Sequence, residues 1–221
     1  MLFNLDPSSF IARIIVLVIA FTFHEFAHAW TADRFGDDTP RRNGRLTLNP
    51  LAHLDPLGSL MLLIARFGWA KPVPVNPYVL QRSAPSALMW VSLAGPFSNC
   101  IMAILAAIPF RVGLASIYDA QYAAFVRGPS LLPTLEQVLW EFIVINLVLM
   151  LFNLIPLAPL DGDKILDYFL PASMSRTLET IRPYGPMILM AMLFVGPMVG
   201  LDVIGWVIER PLYLLMNLLV G

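Results

Sequence analysis

The sequence predicts an all-α polytopic membrane protein with about four to six transmembrane helices and a small membrane-associated β-hairpin or extended region on the cytoplasmic side. Three observations carry this prediction. The 221 residues are 58% hydrophobic and only 13% charged, whereas a soluble domain has about a quarter of its residues charged. Mean hydropathy is +0.73, and the apolar residues gather into runs long enough to cross ~30 Å of hydrocarbon. Most of the cationic residues fall in two of the connections between those runs. Such a chain is expected to form a single membrane-embedded domain with the lipid bilayer around it. A net charge of −1 carries no nucleic-acid signature.

The first span, residues 10–32, holds only Arg13 as a charge before Thr22. It lacks the basic, then apolar, then small order of a cleaved signal peptide and is expected to be retained. Asn43-Gly44 reads as a tight turn leading into residues 45–48, which together suggest a hairpin. Residues 57–67 are apolar but short, and are expected to be re-entrant or interfacial. In the following W-A-K-P-V-P-V-N-P stretch (residues 69–77) three prolines forbid helix and favour extended backbone. The second span covers residues 85–110, with a kink expected at Gly95-Pro96. The third covers residues 134–155 and is broken by Pro156 and Pro159. A fourth is expected at residues 183–205, and residues 211–220 form a final apolar run too short to cross comfortably. The single cysteine, Cys100, excludes an internal disulfide and is expected to be a packing residue.

Lysine and arginine set the orientation. The connection 33–84 holds Arg34, Arg41, Arg42, Arg45, Arg66, Lys71 and Arg82, and the connection 156–182 holds Lys164, Arg176 and Arg182. Between the second and third spans there are only Arg111 and Arg127. The positive-inside rule places the first two connections in the cytoplasm. The first and third spans then run in the same direction and end at the same depth. One ends in H-E-F-A-H (residues 24–28), the other in N-L-I-P-L-A-P-L-D-G (residues 153–162).

Positions i and i+4 share a helical face, so His24 and His28 can reach one ion. Glu25 stands where a base for the attacking water is wanted. Ionisable groups in hydrocarbon are costly and mark function. A catalytic zinc site takes a third protein ligand. Asp161 suits it, on backbone unwound by prolines, with Gly162 allowing a sharp exit. His53 is an alternative third ligand that chemistry alone does not set aside. Asn153 reads either as an amide that holds a substrate carbonyl or as an interhelical hydrogen bond. In A-G-P-F-S-N, Asn99 is read first as helix packing and second as site lining. A non-hydrolytic metal-binding protein or metal transporter is the alternative class. Carriers spread polar groups over several spans and repeat their halves; here the groups gather at two span ends and no repeat is visible.

Three elements, H-E-F-A-H at 24–28, N-x-x-P-x-x-P-L-D-G at 153–162 and G-P-x-x-N at 95–99, together resemble the site-2 protease family of intramembrane zinc metalloproteases, peptidase family M50, in order and spacing. The stretches L-N-P-L-A-H-L-D-P-L-G and G-W-A-K-P-V-P-V-N-P resemble its compact bacterial and archaeal subgroup, without the PDZ or CBS domains of some relatives, for which this chain leaves no room. The resemblance implies one Zn2+ per chain, held by His24, His28 and Asp161, with Glu25 as catalytic acid and base and Asn153 positioning the substrate carbonyl. It places His53 as site lining rather than ligand, and Asn99 and Asn76 are assigned there too. It implies an endopeptidase acting on transmembrane protein or peptide substrates, with its centre toward the cytoplasmic side. An unwound substrate needs a strand edge to pair with, which residues 71–76 or 45–48 are expected to supply.

Overall fold

The computed structural model describes residues 7–58, 61, 68–125 and 131–221. The re-entrant segment expected at 57–67 falls mostly outside these residues, as do Arg66 and Arg127. In chain order the main helices are α1 (Pro7–Arg34), α2 (Ala87–Arg111), α3 (Leu135–Asn153), the short α4 (Asp161–Phe169), α5 (Ala172–Met198) and α6 (Val203–Val220). All but α4 are long and apolar enough to cross a membrane, which makes this a multi-pass membrane protein.

α1 opens on Pro7, where a missing N–H costs nothing. It stops at Gly36, whose φ of +86° lets the Asp37 N–H turn back to the Ala32 carbonyl at 3.0 Å. The Thr134 side chain caps α3 by accepting from the Gln137 N–H. α2 packs against both α1 and α3. Two polar latches tie α1 to α3 at the end away from the histidines. Ser8 donates to Gln137 Oε1 at 3.3 Å while Gln137 Nε2 donates to Ser9 at 2.9 Å, and Arg13 pairs with Glu141 at 3.2 Å. Because Ser8, Ser9 and Arg13 meet residues 137 and 141 in order, α1 and α3 run parallel.

The distal half of α2 builds a core of Ala103, Ala107 and Phe110 with Ile143, Leu147 and Val220. The small residues let the helix backbones approach closely. At its other end α6 places Ile204 and Ile208 against Leu160 and Leu189. Arg111 donates to the Leu218 and Leu219 carbonyls. Together these contacts make α6 antiparallel to α3.

Two expectations are corrected. The hairpin is not present among the described residues. Thr39–Arg42 is instead a helical turn, and Gly44 (φ +66°) ends it, with the Arg45 N–H reaching the Pro40 carbonyl at 2.8 Å. A left-handed glycine serves a helix stop as well as a hairpin turn. β pairing among the described residues is limited to one antiparallel bridge, Leu54 to Ala70. Beside it, buried Arg45 donates to the carbonyls of Ala52 and Lys71. The fourth span is likewise not 183–205. α5 begins at Ala172 and ends at Met198; Gly200 turns left-handed (φ +81°) and Asp202 caps α6 through the Gly205 N–H at 2.9 Å. The run 211–220 is thus the second half of α6, continuous through Pro211. α2 runs as one helix across Gly95-Pro96.

Candidate metal centre

α1 carries His24 and His28 on the face it turns to α2, and both are buried. Their Nε2 atoms lie 3.0 Å apart. Asp161, the first residue of α4, brings its Oδ2 to 3.2 Å from His24 Nε2 and 3.3 Å from His28 Nε2. This carboxylate is delivered by the turn 154–160, which packs onto Gly162 so tightly that a Cβ there would lie 2.5 Å from the Leu154 carbonyl oxygen. α4 is in turn clamped to α5. Arg182 donates to Asp163 and Asp167, each at 2.8 Å, and Ser175 donates to Asp167 at 2.5 Å.

The hydrogen bonds behind the rings decide what faces the centre. His28 Nδ1 lies 2.6 Å from the Val91 carbonyl, which only accepts, so Nδ1 carries the proton and Nε2 the lone pair. His24 Nδ1 lies 2.7 Å from Asn99 Oδ1, with the same result. Two lone pairs and a carboxylate oxygen therefore converge with no proton between them, and Asp161 Oδ2 is buried without a hydrogen-bond partner. A cation answers all three. Tetrahedral zinc with ligands at about 2.0–2.1 Å spaces them about 3.3 Å apart, close to the triangle found here. Space for the rings comes from Gly95. A Cβ there would lie 2.6 Å from His24 Nε2 and closer still to His28 Nε2.

The sequence matches peptidase family M50 over residues 12–196, a stretch that contains every residue of this cluster. The chain belongs to peptidase family M50. It is 42% identical over 186 residues to the Bacillus subtilis protein named "Putative zinc metalloprotease YwhC", covering 84% of this chain and 80% of that relative. It is 34% identical over 202 residues to "Putative zinc metalloprotease Rip2" of Mycolicibacterium smegmatis, covering 86% and 71%. A Mycobacterium tuberculosis protein of the latter name is 31% identical over 206 residues, covering 88% and 71%. No solved structure matches the chain. Family membership makes this M50 chain a metallopeptidase of the zinc type, and the cluster His24, His28 and Asp161 suits that ion.

The remaining site residues of the M50 chain fall in different places. Glu25 is buried beside the imidazoles and its Oε2 accepts from the Val73 N–H at 3.2 Å, so the extended strip 71–76 lies against it. Asn99 is hydrogen-bonded to His24. No hydrogen bond joins Asn153 to the three converging residues; at the end of α3 its Nδ2 donates to the Leu149 carbonyl at 3.0 Å. His53 is fully buried, with Nε2 2.8 Å from the Thr47 carbonyl, and is not among the grouped ligand atoms. Asn76 caps the helix Pro77–Ser83 by accepting from the Tyr78 and Val79 N–H groups. Two residues escaped the sequence reading. Gly95 provides clearance for the rings. Asn146, a buried amide inside the apolar run of α3, donates and accepts within the support of His24.

Proposed function

We propose that the chain acts as a single intramembrane zinc endopeptidase domain, hydrolysing peptide bonds within or near transmembrane segments of membrane-protein substrates. The convergence of two imidazole Nε2 atoms and the Asp161 carboxylate beside a buried Glu25 carries this reading. Zinc held by His24, His28 and Asp161 would polarise the scissile carbonyl and bring water's pKa toward ~7. Glu25 takes the proton of the attacking water and passes it to the leaving amine. The Val73 N–H holds its Oε2, which leaves Oε1 for that transfer. Asn153 steadies the substrate carbonyl with its second amide hydrogen, while His53 and Asn99 line or support the centre.

An intact helix hides its peptide bonds, so the substrate enters unwound and pairs with the strip 71–76. The Val73 N–H points at Glu25, and residues 73 and 75 share one side of an extended strand. The Val73 carbonyl and both backbone groups of Val75 have no hydrogen-bond partner among the described residues. They form a short edge for strand addition next to the acid–base residue. The charge pattern supports a cytoplasmic-side centre. Arg34, Arg41, Arg42, Arg45, Lys71 and Arg82 sit in or beside the α1–α2 connection, at the histidine end of the bundle.

The experiment pairs zinc analysis with cleavage of a single-span substrate by the purified chain in detergent, comparing the wild type with Glu25→Gln and Asp161→Ala. Glu25→Gln is expected to keep zinc and lose cleavage by about 10²–10⁴-fold. Asp161→Ala is expected to lose both. Cleavage retained by Glu25→Gln removes this residue from the chemistry, and no cleavage of any span by the zinc-loaded wild type overturns the endopeptidase reading.

A further inference from the structure

Asn146 sits in the middle of α3, fully buried in an apolar stretch, and belongs to none of the motifs above. Its hydrogen bonds are directional. Its Nδ2 donates to the Phe142 carbonyl at 2.8 Å, a group that only accepts. The opposite end of the amide, Oδ1, therefore faces α2, where it accepts from Asn99 Nδ2 at 2.8 Å. The same logic passes one residue on. With Nδ2 committed, Asn99 has only Oδ1 to offer His24 Nδ1, so that nitrogen must be the protonated one. Both amides have 0% exposure, and no bulk water competes for either.

We propose that Asn146 is a positioning residue of the metal centre, selecting through Asn99 the His24 tautomer whose Nε2 is free to bind zinc. The proposal rests on the reading of His24 as a ligand. The two histidines differ in what supports them. A backbone carbonyl fixes His28 and cannot be reversed. An amide can: turned by half a rotation, Asn99 would present Nδ2 to His24 Nδ1, which draws the ring proton to Nε2 and closes that nitrogen to metal. Asn146 opposes this turn, because the turned Asn99 would set oxygen against oxygen. A carboxylate at position 99 would need no such guard, having two acceptor ends and no donor.

The test measures zinc affinity of the purified full chain in detergent by competition with a chelator, and the visible spectrum of the Co2+-loaded protein. Asn146→Leu is expected to weaken zinc binding by about 10- to 100-fold, the usual effect of losing such support, and to alter the Co2+ spectrum. Asn99→Asp holds the His24 Nδ1 proton unaided but sets a carboxylate oxygen against Asn146 Oδ1, so alone it is expected to bind zinc no more tightly than wild type. Combined with Asn99→Asp, Asn146→Leu removes that opposed oxygen and is expected to cost no further zinc affinity. A merely structural amide would cost as much in that background as alone. The proposal is overturned if Asn146→Leu binds zinc within about twofold of wild type, or if its penalty persists beside Asn99→Asp. Should Asn146→Leu fail to fold, Asn146→Ala is judged by the same comparison. A wild-type chain that binds no zinc would remove the ligand reading itself, an outcome distinct from normal wild-type binding with an unaffected Asn146 variant.

Discussion

His24 and His28 stand on one unbroken helix and lean against another, whereas Asp161 is the first residue of α4, reached through the turn 154–160 after α3 has ended. The imidazole side is set by helix packing. Gly95 clears the space, and Val91 and Asn99 hold the rings from behind. The carboxylate side is set by a turn closed on Gly162 and by the Arg182 clamp on Asp163 and Asp167. Backbone inside a packed helix has few alternatives, while a turn has many. The difference teaches that one half of the centre is a fixed surface and the other is a part brought to it.

Perturbations of the two halves therefore have different signatures. The largest effect is expected from Asp161→Ala, which leaves the imidazole side intact. Zinc retention should be lost and cleavage should fall by roughly 10³-fold or more, with helix content by circular dichroism unchanged. Full zinc occupancy in that variant would erase the distinction between the halves. Next comes Gly95→Ala, confined to the imidazole side, with zinc affinity expected to drop by about 10- to 100-fold. In the metal-free protein the rings yield to the new Cβ only by straining their bonds to Val91 and Asn99, a cost set against the ~1 kcal/mol by which alanine favours helix. Thermal unfolding of that form should be little changed. Gly162→Ala is the counterpart on the other side. Its Cβ meets backbone carbonyls rather than side chains, so metal-free stability and zinc affinity should fall together. If the two glycine variants behave alike, the contrast is broken.

Arg182→Ala sharpens the contrast at smaller scale. It leaves Asp163, which is buried, without its cation, an expected loss of about 1–3 kcal/mol. Hydrogen exchange should rise in α4 and not in α1. The smallest effect is in acid. Burial raises the Asp167 pKa, but Ser175 and Arg182 outweigh it and hold the carboxyl below its ordinary range. The folded value lies below the unfolded one of ~3.9. The clamp's contribution is therefore complete above that value and is lost as pH falls through the folded one. Asp167→Asn should flatten this acid limb of stability measured by denaturant titration.

The site was legible where its signal is local. His24, Glu25 and His28 declare themselves by spacing within one apolar run, and the prolines ahead of Asp161 mark the break that frees it. The charge pattern then brought both clusters to one depth. What stayed hidden depends on which residues of different helices meet. Asn146 looks like any lone amide in a span until Asn99 is seen opposite it, and nothing marks Gly95 as clearance until the imidazoles are beside it. Asn76 ends the extended strip and also caps the next helix, a role that the following proline announces. One misreading had a visible counter-signal. Gly200 and Asp202 punctuate residues 183–205, but averaging hydropathy over a long window blurs a turn flanked by apolar helices.

The heading of α6 has a practical corollary. The Val220 end of α6, packed on Ile143 and bonded through Leu218 and Leu219 to Arg111, lies at the pole of the bundle that also holds the Pro7 end of α1, away from Asp161. Labels at those two helix ends would thus report one pole only, and a probe of the reacting centre belongs in the 33–84 connection.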